Sequence, residues 1–240
     1  MSEIQEDFWL FGYGSLIWKP PPHFDQRLPG YIEGYVRRFW QVCDHRGTPE
    51  APGRVATLID RAHWETLTDH HDAPAGKVWG AAYHIPSTHA AAVRDYLDIR
   101  EINGYSIQYT PFHPAAASSA TTTAAATAAP INCLVYIGLP SNPQFLGPQD
   151  PQALAEHIVV SRGPSGENKE YLYQLETALL ELSPESADEH ISDLARRCRE
   201  VEARKGGEAL KEKERRAEEA LESHALHRVG STEEQEEVEK

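Results

Sequence analysis

With 240 residues, 40% of them hydrophobic, and a formal net charge of −14, the chain fits one ordinary domain with appendages, or two very small ones, and a core of roughly 150–200 residues is ample for a single domain. The acidic balance argues against a nucleic-acid binder, which needs a basic stripe to displace counterions, and against docking on an anionic membrane surface. Three sparse cysteines, Cys43, Cys133 and Cys198, with no CxxC pair, make neither a disulfide framework nor a structural zinc site.

The first residues, Met1 to Asp7, are acidic and lack the basic and apolar regions of a signal peptide. No apolar run approaches the roughly 20 residues of a membrane span. The expectation is a reduced compartment, cytoplasm or nucleus.

Phe8-Trp9-Leu10-Phe11 reads as a buried strand feeding the loop Gly12-Tyr13-Gly14-Ser15-Leu16. Lys19-Pro20-Pro21-Pro22 then forbids regular structure. Tyr31 to Cys43, Arg54 to Ile59 and Val78 to Ile85 read as three further strands, parted by glycine- and proline-rich turns. Ser87 can N-cap a helix over about Thr88 to Arg100, with Val93, Tyr96 and Leu97 on one face. Asn103-Gly104 suits its left-handed end. Tyr105 to Thr110 alternates as a strand, and Ile131 to Gly138 is its expected partner. Between them, residues 113–130 are low-complexity Ala, Thr and Ser, read as a disordered insertion. Helical spacing marks Pro151 to Arg162, Asn168 to Leu182, and Glu185 to about Arg204. Residues 205–240 form a charged tail, expected to be a solvated helix or disordered.

Chemistry can reside in few places. Glycines directly after a buried strand let the backbone approach a ligand and aim N–H groups at an anion, though an ordinary tight turn has the same pattern. A dinucleotide site would want a third glycine opening a helix, and a proline run stands there instead. Glu101, at a helix end, faces the negative end of the dipole, which favours a raised pKa and a general-base role. A solvated glutamate paired with Arg100 is the competing reading. His70-His71-Asp72 point apart as neighbours and make a poor metal clamp. Cys43 and Cys133 lie in apolar strands, and Gly163-Pro164-Ser165-Gly166 lacks the Gly-Lys-Ser/Thr of a P-loop. These signals alone define an α+β protein with a glycine loop near one edge.

A dozen ordered blocks add to this. They include Phe11-Gly12-Tyr13-Gly14-Ser15-Leu16-Ile17-Trp18, Arg37-Arg38-Phe39-Trp40-Gln41, Asp44-His45-Arg46-Gly47 and Pro52-Gly53-Arg54-Val55. Further along come Val78-Trp79-Gly80, Tyr96-Leu97-Asp98 with Arg100-Glu101, Gly104-Tyr105, and Tyr136-Ile137-Gly138. Leu146-Gly147-Pro148, Gly163 to Asn168, Glu170-Tyr171-Leu172 and Ala187-Asp188-Glu189-His190 complete the set. Together they resemble the ChaC family, the glutathione-specific γ-glutamylcyclotransferases, from about Trp9 to Arg197.

The resemblance implies an α+β fold, a small mixed β-barrel with peripheral helices, over residues 8–200. It implies that Gly12, Tyr13, Gly14, Ser15, Leu16 and Ile17 hold the γ-glutamyl part of glutathione and that Glu101 is the catalytic acid/base. It implies release of 5-oxoproline and Cys-Gly, with no metal or organic cofactor. Arg54 and the Arg37/Arg38 pair are candidates for the substrate carboxylates, and Tyr171 for a wall of the pocket. Ile102-Asn103 departs from the family's usual polar pair. The insertion and the tail are not found in compact members.

Overall fold

The computed structural model describes residues 6–72, 76–100, 105–115 and 129–236. Five strands close a barrel in the order β1-β5-β2-β6-β7: β1 (Phe8–Gly12), β2 (Gln26–Glu33), β5 (Lys77–Ile85), β6 (Tyr105–Pro114) and β7 (Ile131–Gly138). Four of the seams are antiparallel, and β1 runs parallel to β7 with Trp9 opposite Cys133. The barrel is therefore mixed. A separate antiparallel pair, β3 (Tyr35–Cys43) and β4 (Gly53–Asp60), lies outside the barrel order.

Both faces of β1, β5 and β7 are covered, which is why these segments read as continuous apolar runs, whereas β6 alternates, with Ile107 and Tyr109 exposed. Leu10, Tyr83, Leu134 and Tyr136 pack with Ala90, Val93 and Leu97 of α2 (Ala90–Arg100). The alternate residues Phe11, Ala82, Val135 and Ile137 pack with Ile32, Leu58 and Phe112. A third apolar cluster joins Phe39 and Trp79 to the helices α3 (Pro151–Val160), α4 (Asn168–Leu182) and the start of α5 (Glu189–Glu236). Full burial of a side chain such as Phe39 stabilises by about 1.5–3 kcal/mol. A four-residue helix, α1 (Arg61–Trp64), follows β4 and is capped by Asp60.

The strands differ from the sequence reading in three places. Tyr31 to Cys43 is two strands, not one, because Gly34 takes a φ of +84° and turns the chain between β2 and β3. β2 begins as early as Gln26, through Pro29-Gly30, a pair that reads locally as a turn. Gly30 is tolerated in the strand because a Cβ there would strike the ring of Phe112 and the backbone of His113. β6 also runs on to Pro114, into the segment read as insertion, since Phe112 is fully buried and pairs with Ile131. The rest of that insertion, 116–128, lies outside the described residues.

Helix starts follow local chemistry. Asp150 caps α3, its side chain accepting from the Ala153 N–H at 2.8 Å, with Pro151 at the first position. Ser87 does not cap α2 with its side chain. A short 3-10 turn over Ser87–His89 leads in instead, and the Ser87 N–H donates to Asp7. α4 is the predicted element, residue for residue.

Compact packing divides the chain into Met1–Cys198 and Arg199–Lys240. In the first unit, polar bonds tie β3 to the helices. Arg37, 1% exposed, pairs with Asp188 at 3.2 Å and donates to the Trp79 carbonyl. Arg38 pairs with Asp69, which also accepts from the Trp64 indole. Removing one partner of such a buried pair costs about 3–5 kcal/mol, because the other charge is stranded. The second unit is helical as far as Glu236.

Candidate active site

A cavity of about 440 Å³ opens beside the first glycine loop, within the usual range for small-molecule sites. Gly12, Tyr13, Gly14, Ser15 and Leu16 all line it. The loop turns sharply: the Ile17 N–H donates to Gly14 and the Lys19 N–H to Ser15, at 3.0 and 2.8 Å. That turn packs Ile17 into the core beside Phe39 and Leu172, so Ile17 supports the loop from behind and does not reach the cavity.

Both glycines are there for closeness. A Cβ on Gly12 would come within 2.6 Å of the Leu16 Cβ. One on Gly14 would come within 2.9 Å of the Tyr171 phenolic oxygen. Neither distance is tolerable without movement, so the loop keeps its backbone against the cavity.

Tyr171 forms the facing wall from α4, 7% exposed and edge-on to the rings of Trp18 and Phe39. Its position depends on the Gly163 to Asn168 segment. There β8 (Arg162–Gly163) and β9 (Gly166–Glu167) make a minimal hairpin, with Gly166 at a φ of +104°. The hairpin docks on the turn Asp44–Arg46: the Ser165 N–H donates to the His45 carbonyl at 2.9 Å, and Arg46 Nη1 donates to the Glu167 carbonyl at 3.0 Å. Asn168, fully buried, accepts from the Arg54 N–H and donates to the Arg54 carbonyl. This segment is a strut that sets the start of α4.

The same strut relocates one expected site residue. Arg54 does not line the cavity. Its guanidinium donates to Gln149 Oε1 at 3.2 Å and to the Pro52 carbonyl at 2.6 Å, and burial holds its pKa down. Arg37 and Arg38 are likewise held by Asp188 and Asp69, away from the cavity. The cationic lining comes instead from Arg46 and Lys19, which the sequence reading did not single out, along with His45, Ser165 and Gln144. The signal for Arg46 is its place in the Asp44 to Gly47 block that carries the family resemblance.

α2 contributes Tyr96 to the lining. Glu101, next in sequence after the last residue of that helix, lies outside the described residues. Of the thiols, Cys43 lines the cavity, and Cys133 is pushed up to about 12 by burial, an inert group at neutral pH. Among the described residues no group of three His, Cys, Asp or Glu side chains could hold a metal ion. His71 bonds to Asp193 and His190. No helix among the described residues is long and apolar enough to cross a membrane.

A barrel of this order, with a glycine loop after its first strand facing a helix-borne tyrosine, matches a known class. Residues 8–201 match the ChaC-like protein family. The chain belongs to that family. It is 44% identical over 199 residues to the glutathione-specific gamma-glutamylcyclotransferase of Schizosaccharomyces pombe, covering 82% of this chain and 92% of that one. It is 36% identical over 187 residues to the human glutathione-specific gamma-glutamylcyclotransferase 1, covering 77% and 75%. The crystal structure of a yeast γ-glutamyl cyclotransferase specific to glutathione superposes with a TM-score of 0.72 at 35% identity, over 81% of this chain and 96% of that one.

Proposed function

We propose that the chain degrades glutathione by cyclising its γ-glutamyl group, releasing 5-oxoproline and Cys-Gly. The observation that carries this is the Gly12–Leu16 loop, all of it lining one cavity, in a chain 44% identical over most of its length to a glutathione-specific enzyme.

The reaction needs little beyond position and proton transfer. The α-amine of the γ-glutamyl group attacks its own γ-amide carbonyl and closes a five-membered ring, so the attack is intramolecular and needs only folding into a near-attack geometry. At neutral pH the amine is mostly protonated, and a base must take a proton first. Glu101 is that base, and it returns a proton to the departing cysteinyl nitrogen. The backbone N–H groups of Gly14 to Leu16 hold the α-carboxylate or the developing oxyanion. Tyr171 closes the opposite side. No electrons move between redox states, so the chemistry calls for no cofactor. The catalytic domain spans residues 8–200, and residues 205–240 are an appendage.

Comparing turnover of glutathione with that of γ-glutamyl-alanine tests the reading. Preferred release of 5-oxoproline from glutathione supports it; turnover of γ-glutamyl-alanine alone moves the protein to another γ-glutamyl substrate class.

A further inference from the structure

Arg46 is a buried cation on the cavity wall with too few partners. Its side chain is 8% exposed. Among the described residues its guanidinium makes one hydrogen bond, to the Glu167 carbonyl at 3.0 Å. Its nearest carboxylate, Glu170 Oε2, is 3.9 Å away, beyond hydrogen-bond reach, and that side chain is 54% exposed. A guanidinium carries five N–H donors in a planar fork that matches a carboxylate. An anion entering the cavity, which Arg46 lines, can take the donors that the protein leaves over. The other arginines near the site, Arg37, Arg38 and Arg54, bond to Asp188, Asp69 and Gln149 and do not line the cavity.

Position selects the anion. The Arg46 guanidinium lies 5.7 Å from the centre of the Tyr171 ring, whose hydroxyl end abuts Gly14. Arg46 thus lies over the ring face of Tyr171, while the glycine loop meets the hydroxyl end of the same ring. In the proposed function, on which this inference rests, the loop holds the reacting γ-glutamyl end. The leaving Cys-Gly unit, two residues, spans about 7 Å when extended and ends in a carboxylate. We propose that Arg46 binds the glycyl carboxylate of the substrate and so sets the preference for the tripeptide over shorter γ-glutamyl compounds. The strut from Gly163 to Asn168 exists, on this view, to hold Arg46 and Tyr171 in one arrangement.

The test compares glutathione with its C-terminal carboxamide, which differs only in that charge. The wild-type protein should show a KM roughly 10- to 100-fold higher for the amide, the loss of a charge-assisted contact, with kcat changed little. In Arg46→Gln the two substrates should have equal KM, and Arg46→Lys should restore part of the difference. Glu170→Gln, a change at a half-exposed position, gives a further arm that spares the Arg46 side chain. Removing the competing carboxylate should lower the KM for glutathione and leave that for the amide unchanged. Equal KM values in the wild type, a difference that persists in Arg46→Gln, or a Glu170→Gln effect shared by both substrates overturns the assignment of Arg46 alone. Wild-type protein that cyclises neither substrate overturns the proposed function with it.

Discussion

The backbone of Gly14 and the hydroxyl of Tyr171 approach so closely that a single methyl group on Gly14 would stand 2.9 Å from the phenolic oxygen. Tyr171 cannot yield easily, because its ring is set between Trp18, Phe39 and Arg46. Gly14→Ala should therefore displace the loop and lower kcat/KM for glutathione by about 10- to 100-fold, the scale of a small misplacement at a reacting centre. The cost should shrink when Tyr171→Phe removes the hydroxyl. A double-mutant cycle in kcat/KM checks this, and simple additivity would contradict the contact.

In the proposed mechanism Glu101 is the acid/base. Glu101→Gln keeps size and hydrogen bonding but cannot take a proton from the substrate amine. Formation of 5-oxoproline should fall by about 10²- to 10⁴-fold, with thermal unfolding unchanged. Near-normal turnover would assign the base elsewhere.

A buried histidine pair makes stability depend on mild acid. His190 Nε2 accepts from the Phe39 N–H at 3.1 Å, its Nδ1 lies 3.2 Å from His71 Nδ1, and His71 Nε2 lies 2.9 Å from Asp193. With His71 donating to Asp193, its other nitrogen accepts from His190, so both rings are satisfied while neutral. Burial, and then the neighbouring Arg38, His71 and Arg37, hold the pKa of His190 well below its ordinary value of 6.5, against the opposing pull of Asp193. The unfolded chain thus binds this proton more readily than the folded one. The stabilisation is whole above pH 6.5 and is lost as pH falls below it, by up to about 1.4 kcal/mol per pH unit. Asp193 is depressed by its bonds to Arg197, His71 and Arg196, working against its own burial, and its share is lost only in stronger acid. Denaturant midpoints should fall from pH 7 to pH 5, and a flat profile would contradict a neutral, buried His190.

Residues 205–240 lie within the second compact unit, Arg199–Lys240. Deleting them should leave turnover and melting temperature largely unchanged. A collapse of either would make the segment part of the catalytic domain.

Much of this was legible from local pattern. β1, β5 and β7 announced themselves as apolar runs because both of their faces are covered, and α4 because its apolar spacing is regular. The glycine loop stood out because two glycines follow a buried strand. What escaped was set by partners far away in the chain. β2 hid behind Pro29-Gly30, whose fitness for a strand is decided by Phe112. Arg54 looked like a substrate contact, yet Asn168 and Gln149 make it a structural brace. Arg46 looked ordinary, since its place at the cavity depends on Glu167 and Tyr171.

Cyclisation and hydrolysis of the γ-amide consume the same substrate and differ in which atom attacks. Turnover of glutathione in water enriched in oxygen-18, read by mass spectrometry, separates them. Intramolecular attack predicts equal amounts of Cys-Gly and 5-oxoproline, with no oxygen-18 in either; glutamate carrying oxygen-18, or glutathione left unconsumed by folded protein, would contradict it.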